Sequence, residues 1–244
     1  NKKSLVSIIL VAVFQPVLYF IFETYGLSMT SSAEAGLMIA LIPIFVTLLS
    51  TIILKEKPLK SQVFFIVISV GGVILIQLFR SGISFESSYT GFSLLLLAVI
   101  SAALFNIASR NAAKDHKPQE ITYIMMLMGA ISFNSIYLTQ LIINHNVTSY
   151  FIVLKNISVI LPVVYLGIVA SIIGFFLVNY SLNKLPAHIS SIYSNISTVV
   201  AVIAGALFLD ETIYFYHIIG GIMIITGVYG AARINYSRNR RKND

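Results

Sequence analysis

The chain has 244 residues, of which 57% are hydrophobic and 10% charged, with a formal net charge of +7 and no cysteine. Soluble domains carry about 25% charged residues, so this composition, with a mean hydropathy of +0.90, points away from a water-soluble fold. The lack of cysteine excludes disulfides, thiol chemistry and cysteine-based metal sites.

Eight apolar segments follow one another at 4–26, 31–54, 61–79, 91–112, 120–143, 158–183, 187–209 and 214–234. Each approaches or exceeds the roughly 20 residues that a helix needs to cross the hydrocarbon core. Runs such as Leu94-Leu95-Leu96-Leu97-Ala98-Val99-Ile100 do not alternate in polarity, which favours helices over a β-barrel. Short loops leave little chain for a soluble domain. The first segment is too long for a cleavable signal peptide and lacks a small-residue cleavage pattern.

Along the first segment Gln15, Tyr19 and Glu23 recur at helical spacing, with Pro16 among them, and Glu34 opens the second, which has Pro43 at its middle. Proline removes a backbone donor, so kinks are expected in both. A solvated carboxylate is the plainer reading of both glutamates. An ionisable group near membrane depth is nevertheless a functional candidate, and Glu23 is the better of the two. Asn106 and Arg110 share a face of the fourth segment. The arginine reads more readily as a snorkelling topology determinant than as an anion site. Asn134 lies near the centre of the fifth segment, and Pro162 near the start of the sixth. Asn179 and Tyr180 end the sixth, while Ser190, Ser191, Ser194 and Asn195 line the start of the seventh. Such a hydroxyl- and amide-rich region can hold a polar substrate, or its serines can bond their own helix carbonyls. The pairs Gly36 and Ala40, Gly167 and Ser171, and Ala201 and Gly205 have the small-residue spacing of close helix packing. Glu56 and Asp210-Glu211 fall at segment ends and are expected to cap turns or set packing.

If every segment crosses, fourteen of the sixteen lysines and arginines lie on one face, and only Arg80 and Lys155 on the other. Positive charge is retained in the cytoplasm, so both termini are expected there. The basic residues Arg238, Arg240, Arg241 and Lys242 read as a stop-transfer anchor more readily than as a site for anionic lipid. The net positive charge is thereby explained without nucleic acid.

A shift of 155 residues superposes the first three segments on the last three, with Phe20/Phe175, Tyr25/Tyr180, Leu27/Leu182, Leu54/Leu209, Glu56/Glu211, Gly72/Gly227 and Val73/Val228 identical. The copies lie five crossings apart, so one is inverted relative to the other. The expected organisation is three helices of an incomplete first repeat (1–80), a complete five-helix repeat (91–234) and a basic tail (235–244). Two further helices are then expected ahead of Asn1, since a full repeat has five.

The stretch Tyr25-Gly26-Leu27-Ser28-Met29-Thr30-Ser31-Ser32-Ala33, the central Pro43, Leu54-Lys55-Glu56-Lys57 and Gly71-Gly72-Val73 carry a family resemblance. The second copy has Asn179-Tyr180-Ser181-Leu182, Leu209-Asp210-Glu211, Gly220-Gly221 and Gly227-Val228, with Thr198 in place of the proline. In this order the chain resembles the EamA family of the drug/metabolite transporter superfamily. The resemblance implies an all-α bundle of ten helices in two inverted repeats of five, and transport, often export, of small metabolites or drugs. No P-loop, HExxH or metal-ligand spacing of the four histidines occurs, so neither an ATP-driven pump nor a cofactor is expected. All four histidines are read as lying in or near loops.

The expected function is secondary transport of a small organic molecule from the cell membrane, with no enzymatic activity. A non-transporting assembly subunit is the alternative, and a lipid-modifying enzyme a weaker one. Expected partners are a small-molecule substrate and the lipid bilayer, with homodimerisation left open. Candidate substrate contacts are Gln15, Tyr19, Glu23, Glu34, Asn106, Asn134, Asn179, Tyr180, Ser194 and Asn195.

Overall fold

The computed structural model describes residues 2–80, 89–145, 147–150 and 157–243. Eight helices long and apolar enough to cross a membrane occur among the described residues: Val6–Leu27, Glu34–Ile53, Lys60–Phe79, Tyr89–Ala112, Pro118–Ile143, Ile157–Lys184, Ala187–Phe208 and Phe215–Ser237. They are called spans one to eight below. The chain is thus a polytopic all-helical membrane protein, and the helices fall within a few residues of the apolar segments. Lys155 lies outside the described residues.

Two of the prolines act differently from simple kinks. Span one changes course at Gln15, whose backbone is extended (φ −149°, ψ 124°), because a proline disfavours helical geometry in the residue before it. In span two the helix Ser32–Ala40 ends and a new one, Ile42–Ile53, begins with Pro43 in its first turn. Proline is tolerated there because that N–H would lack an intrahelical partner anyway. Thr198 replaces the proline in the second copy, yet a 3₁₀ turn at Tyr193–Asn195 still interrupts span seven. The interruption therefore does not depend on proline alone.

The chain divides into two compact units. One comprises Asn1–Leu18 and Ala108–Lys184. In it span five approaches span one so closely that a Cβ on Gly129 would lie 2.8 Å from Pro16 Cγ. The ends of spans four and six cap each other. Arg110 Nη1 donates to the carbonyls of Leu182 (2.9 Å) and Asn183 (3.0 Å), and Asn183 Nδ2 donates to the carbonyl of Ala113 (3.1 Å). A cation at a helix C-terminus also complements the helix dipole. Arg110, expected to snorkel at the span end, thus has its guanidinium engaged by these carbonyls. The stretch from Ile157 to Ile173 in span six has no buried residue.

The second unit comprises Tyr19–Ile107 and Leu185–Asp244. Its centre is the antiparallel pairing of spans three and eight, with a core of Ile66, Val70, Val73, Ile76, Ile224 and Val228. Phe79 near the end of span three stacks on Tyr216 near the start of span eight, with ring centroids 5.5 Å apart. Without side chains at the crossing, the backbones come into direct contact. A Cβ on Gly72 would lie 2.6 Å from the carbonyl oxygen of Gly220 and 3.0 Å from Ile224 Cγ1. A Cβ on Gly227 would lie 2.5 Å from the carbonyl oxygen of Phe65 and 2.7 Å from Ser69 Cβ. A shift of 155 turns Gly72 into Gly227, Phe65 into Gly220 and Ser69 into Ile224. The two sets of contacts are therefore images of each other, as across the two-fold axis of an isologous interface.

The connecting turns repeat as well. Lys55 (φ 57°) and Asp210 (φ 53°) both occupy the left-handed region. The N–H groups of Leu54 and Glu56 converge on the carbonyl of Ser50, and those of Leu209 and Glu211 on that of Gly205. These are C-terminal caps that satisfy otherwise orphaned carbonyls, and every partner is displaced by 155. So are the helix starts at Ser32 and Ala187, the ends at Ile53 and Phe208, and the starts at Lys60 and Phe215.

The expected small-residue pairs fare unequally. Gly36 does admit a neighbour, since its missing Cβ leaves room for the Gln77 amide. Among the described residues, a Cβ at Gly167 would meet nothing within 4 Å, and at Gly205 it would meet only the Glu211 side chain. Spacing alone does not reveal which helix face meets a partner, and the tightest crossing uses Gly72, Gly220 and Gly227 instead.

Candidate functional site

Within the second unit, span one brings Tyr19 and Glu23 together one helical turn apart. The Tyr19 hydroxyl donates to Glu23 Oε1 at 2.8 Å. Tyr19 is 9% exposed and belongs to a cluster with Ala98 and Ala102, bordered by Phe20, Phe22 and Ile42. Glu23 is half-buried. The phenol holds one carboxylate oxygen in place beside an apolar wall, which suits the group to accept a proton or bind an amine. Asn106 Nδ2 donates to the carbonyl of Ala102, one turn back on its own helix, at 2.8 Å.

The remaining candidates are distributed elsewhere. Glu34 is buried and engaged at a helix start, where Oε2 accepts from the Ser31 N–H at 3.0 Å and Ser31 Oγ accepts from the Glu34 N–H at 3.3 Å. This reciprocal pair is a capping box. Asn195 is buried and donates to Ser69 Oγ at 3.0 Å, joining span seven to span three. Ser194 and Ser191 bond back to carbonyls of their own helix.

In the first unit, Gln15 is half-buried at the break in span one. Asn179 is fully buried and links three spans. Its Oδ1 accepts from Ser109 Oγ at 2.7 Å, and its Nδ2 donates to Thr122 Oγ1 at 2.9 Å. Asn134 is exposed, donates to its own Ala130 carbonyl and accepts from the Tyr150 hydroxyl at 2.5 Å. Tyr180 is about half exposed, with its ring tilted against Phe176.

A further polar junction lies at the lysine-bearing end of the second unit. Glu56 Oε2 accepts from the backbone N–H of Ala187 at 2.9 Å, and His188 Nδ1 lies 3.9 Å from the same oxygen. His188 is 3% exposed. It sits in the first turn of span seven, next to a loop as expected, where packing against span two covers it. No local signal marks its burial. Nearby in sequence, Gln62 Oε1 caps the Leu59 N–H at 2.8 Å, and the whole residue is buried.

This junction accompanies an asymmetry. Ile42–Ile53 packs against Ala187–Ile192. The pair displaced by 155 sets Ser32–Ala40 against Ile196–Phe208, and it shows no comparable packing among the described residues. Leu207, Phe208 and Leu209, at the far end of span seven, are each at least 70% exposed.

Comparison with known proteins matches residues 1–78 and 89–233 to the model of the EamA-like transporter family. The chain is 36% identical to "Uncharacterized transporter YcxC" of Bacillus subtilis, over 98% of this chain and 77% of that protein. It is 28% identical to "Uncharacterized transporter YetK" of the same organism, over 94% of this chain and 68% of that one. A transporter of Archaeoglobus fulgidus is 27% identical over 95% of this chain and 79% of its own length. One crystal structure superposes with a TM-score of 0.74 at 18% identity, covering 94% of this chain and 77% of that chain. At that identity the likeness concerns the fold.

Proposed function

Because the chain belongs to the EamA-like transporter family, we infer that it is a secondary transporter that exports a small organic metabolite or drug by alternating access. The observation that carries this reading is the two-fold crossing of spans three and eight, together with the unequal packing on its two sides. Two inverted copies can adopt two arrangements in which they exchange roles, and this exchange underlies alternating access. A unit whose contacts are imaged at the crossing, yet closed at one end and parted at the other, has the form of one such arrangement.

Within this reading Tyr19 and Glu23 belong to the substrate or proton site. A half-buried carboxylate held by a phenol favours a cationic or amine-bearing substrate, or coupling to protons. The cytoplasmic placement of both termini, inferred from the fourteen basic residues on one face, makes the lysine-bearing end the inner one.

The test is counterflow in liposomes containing the purified protein, across amino acids, nucleosides and cationic drugs. Transport of at least one class is expected, with a tenfold or larger loss on Glu23→Gln. No counterflow across the whole panel would refute the transporter reading. Unchanged kinetics in Glu23→Gln would remove that carboxylate from the site.

A further inference from the structure

The two equivalent helix starts in the second unit are capped by different means. The start at Ser32 carries its own acceptors, Ser31 Oγ and the Glu34 carboxylate. The displaced positions are Pro186 and Ile189, and neither side chain can accept a hydrogen bond. The start at Ala187 draws its acceptor from Glu56, 131 residues away, on the turn that follows span two. That bond lies at the seam where Ile42–Ile53 packs on Ala187–Ile192, the end that is closed. Opening the seam would separate a carboxylate from a helix-start N–H and leave span seven without a side-chain cap there. Parting the opposite end leaves Ser32 capped by its own box.

We propose that Glu56 is a gate-positioning residue, a latch that holds the lysine-bearing end closed by capping span seven across the seam. When that end opens and the other closes, Glu211 takes the image role by accepting from the N–H of Ser32. In the structure described here the Glu211 carboxylate lies over Gly205 of its own hairpin. Since one helix start is self-capped in both arrangements and the other depends on the latch, the resting equilibrium favours closure at the lysine-bearing end. This inference rests on the alternating-access reading, and its test is independent of any substrate.

The chain has no cysteine, so one introduced thiol reports by itself. Ser191, 5% exposed beside the seam, becomes the reporter as Ser191→Cys. Its modification by a membrane-impermeant maleimide is followed in inside-out vesicles. Glu56→Ala is expected to speed labelling about tenfold, which corresponds to about 1.4 kcal/mol in the opening equilibrium. Glu56→Gln keeps a neutral acceptor and should give about threefold. Glu211→Ala should leave the rate at or below that of the parent. A parental rate in Glu56→Ala overturns the latch. If that variant does not accumulate as a monodisperse protein, a parental rate in Glu56→Gln overturns it instead.

A second variant separates latching from mere helix capping. Pro186 has φ −54° and ψ 147°, which suit an N-cap aspartate. Pro186→Asp in the Glu56→Ala background restores a local cap without restoring the bridge. Continued fast labelling supports the latch, and a return to the parental rate overturns it. Fast labelling without counterflow by the parent would sink the transporter reading while leaving the latch, whereas counterflow with unchanged labelling would do the reverse.

Discussion

Substituting Gly227 by alanine tests the helix crossing most directly. The added Cβ would lie 2.5 Å from the carbonyl oxygen of Phe65 and 2.7 Å from both the nitrogen and the Cβ of Ser69. Two of these atoms are backbone, so no rotamer change relieves the clash. Restoring a 3.4 Å contact to the Phe65 carbonyl requires the spans to part by about 0.9 Å. A gap of about 0.5–1 Å forfeits roughly a quarter to a half of each dispersion contact along the crossing. Overpacking of this kind costs about 1–3 kcal/mol, against which alanine regains up to about 1 kcal/mol of helix propensity. With the propensity fully regained, the net loss of about 0–2 kcal/mol should lower the unfolding temperature in detergent by up to about 8 °C, at roughly 2–4 °C per kcal/mol. The control is Gly221→Ala, where a Cβ would meet nothing within 4 Å and only the propensity gain applies. Gly72→Ala should resemble Gly227→Ala, and the double variant should lose less than the sum, because the helices part once for both. If Gly227→Ala melts as high as Gly221→Ala, the backbone contact inferred at this crossing is wrong.

Two further substitutions address the polar contacts that fix the spans. Asn179→Ala removes the Oδ1 that accepts from the Ser109 hydroxyl and the Nδ2 that donates to the Thr122 hydroxyl and should cost about 1–3 kcal/mol; a denaturant midpoint equal to that of the parent would count against this node. Ser31→Ala removes one half of the capping box and should cost about 1 kcal/mol. Its effect should be local, seen as faster amide exchange over residues 32–35, and unchanged exchange there would contradict the cap.

How far the sequence foretold this arrangement depends on the range of each interaction. Span limits follow from apolar length, a property of contiguous residues, and they agree with the helices to within a few positions. The repeat was visible because the shift of 155 preserves element lengths, and the same shift relates the left-handed turns at Lys55 and Asp210. Contacts at long range were not legible. Asn179 reads as a polar residue near a span end, and nothing local announces Ser109 and Thr122 as its partners. His188 reads as a residue at the edge of a span, and nothing local announces that span two covers it. The third span offers no candidate residue in the sequence, yet the Gln77 amide packs into the space left at Gly36. Gly167 illustrates the opposite case, a packing signal with no neighbour within 4 Å among the described residues.

Under the proposed alternating access, the self-imaged crossing of spans three and eight would act as a fulcrum. Points on a two-fold axis map onto themselves, so residues around Ser69 and Ile224 hold nearly the same place in both of any pair of exchanging arrangements. Displacement grows with distance from that point, and ten residues along a helix already provide an arm of about 15 Å. Distance labels set near the glycines would therefore register almost nothing when the ends exchange, while labels at the turns after spans two and seven would register the most. In that exchange, a rigid pivot with long arms would let small rotations at a tightly packed centre produce large movements at the two membrane faces.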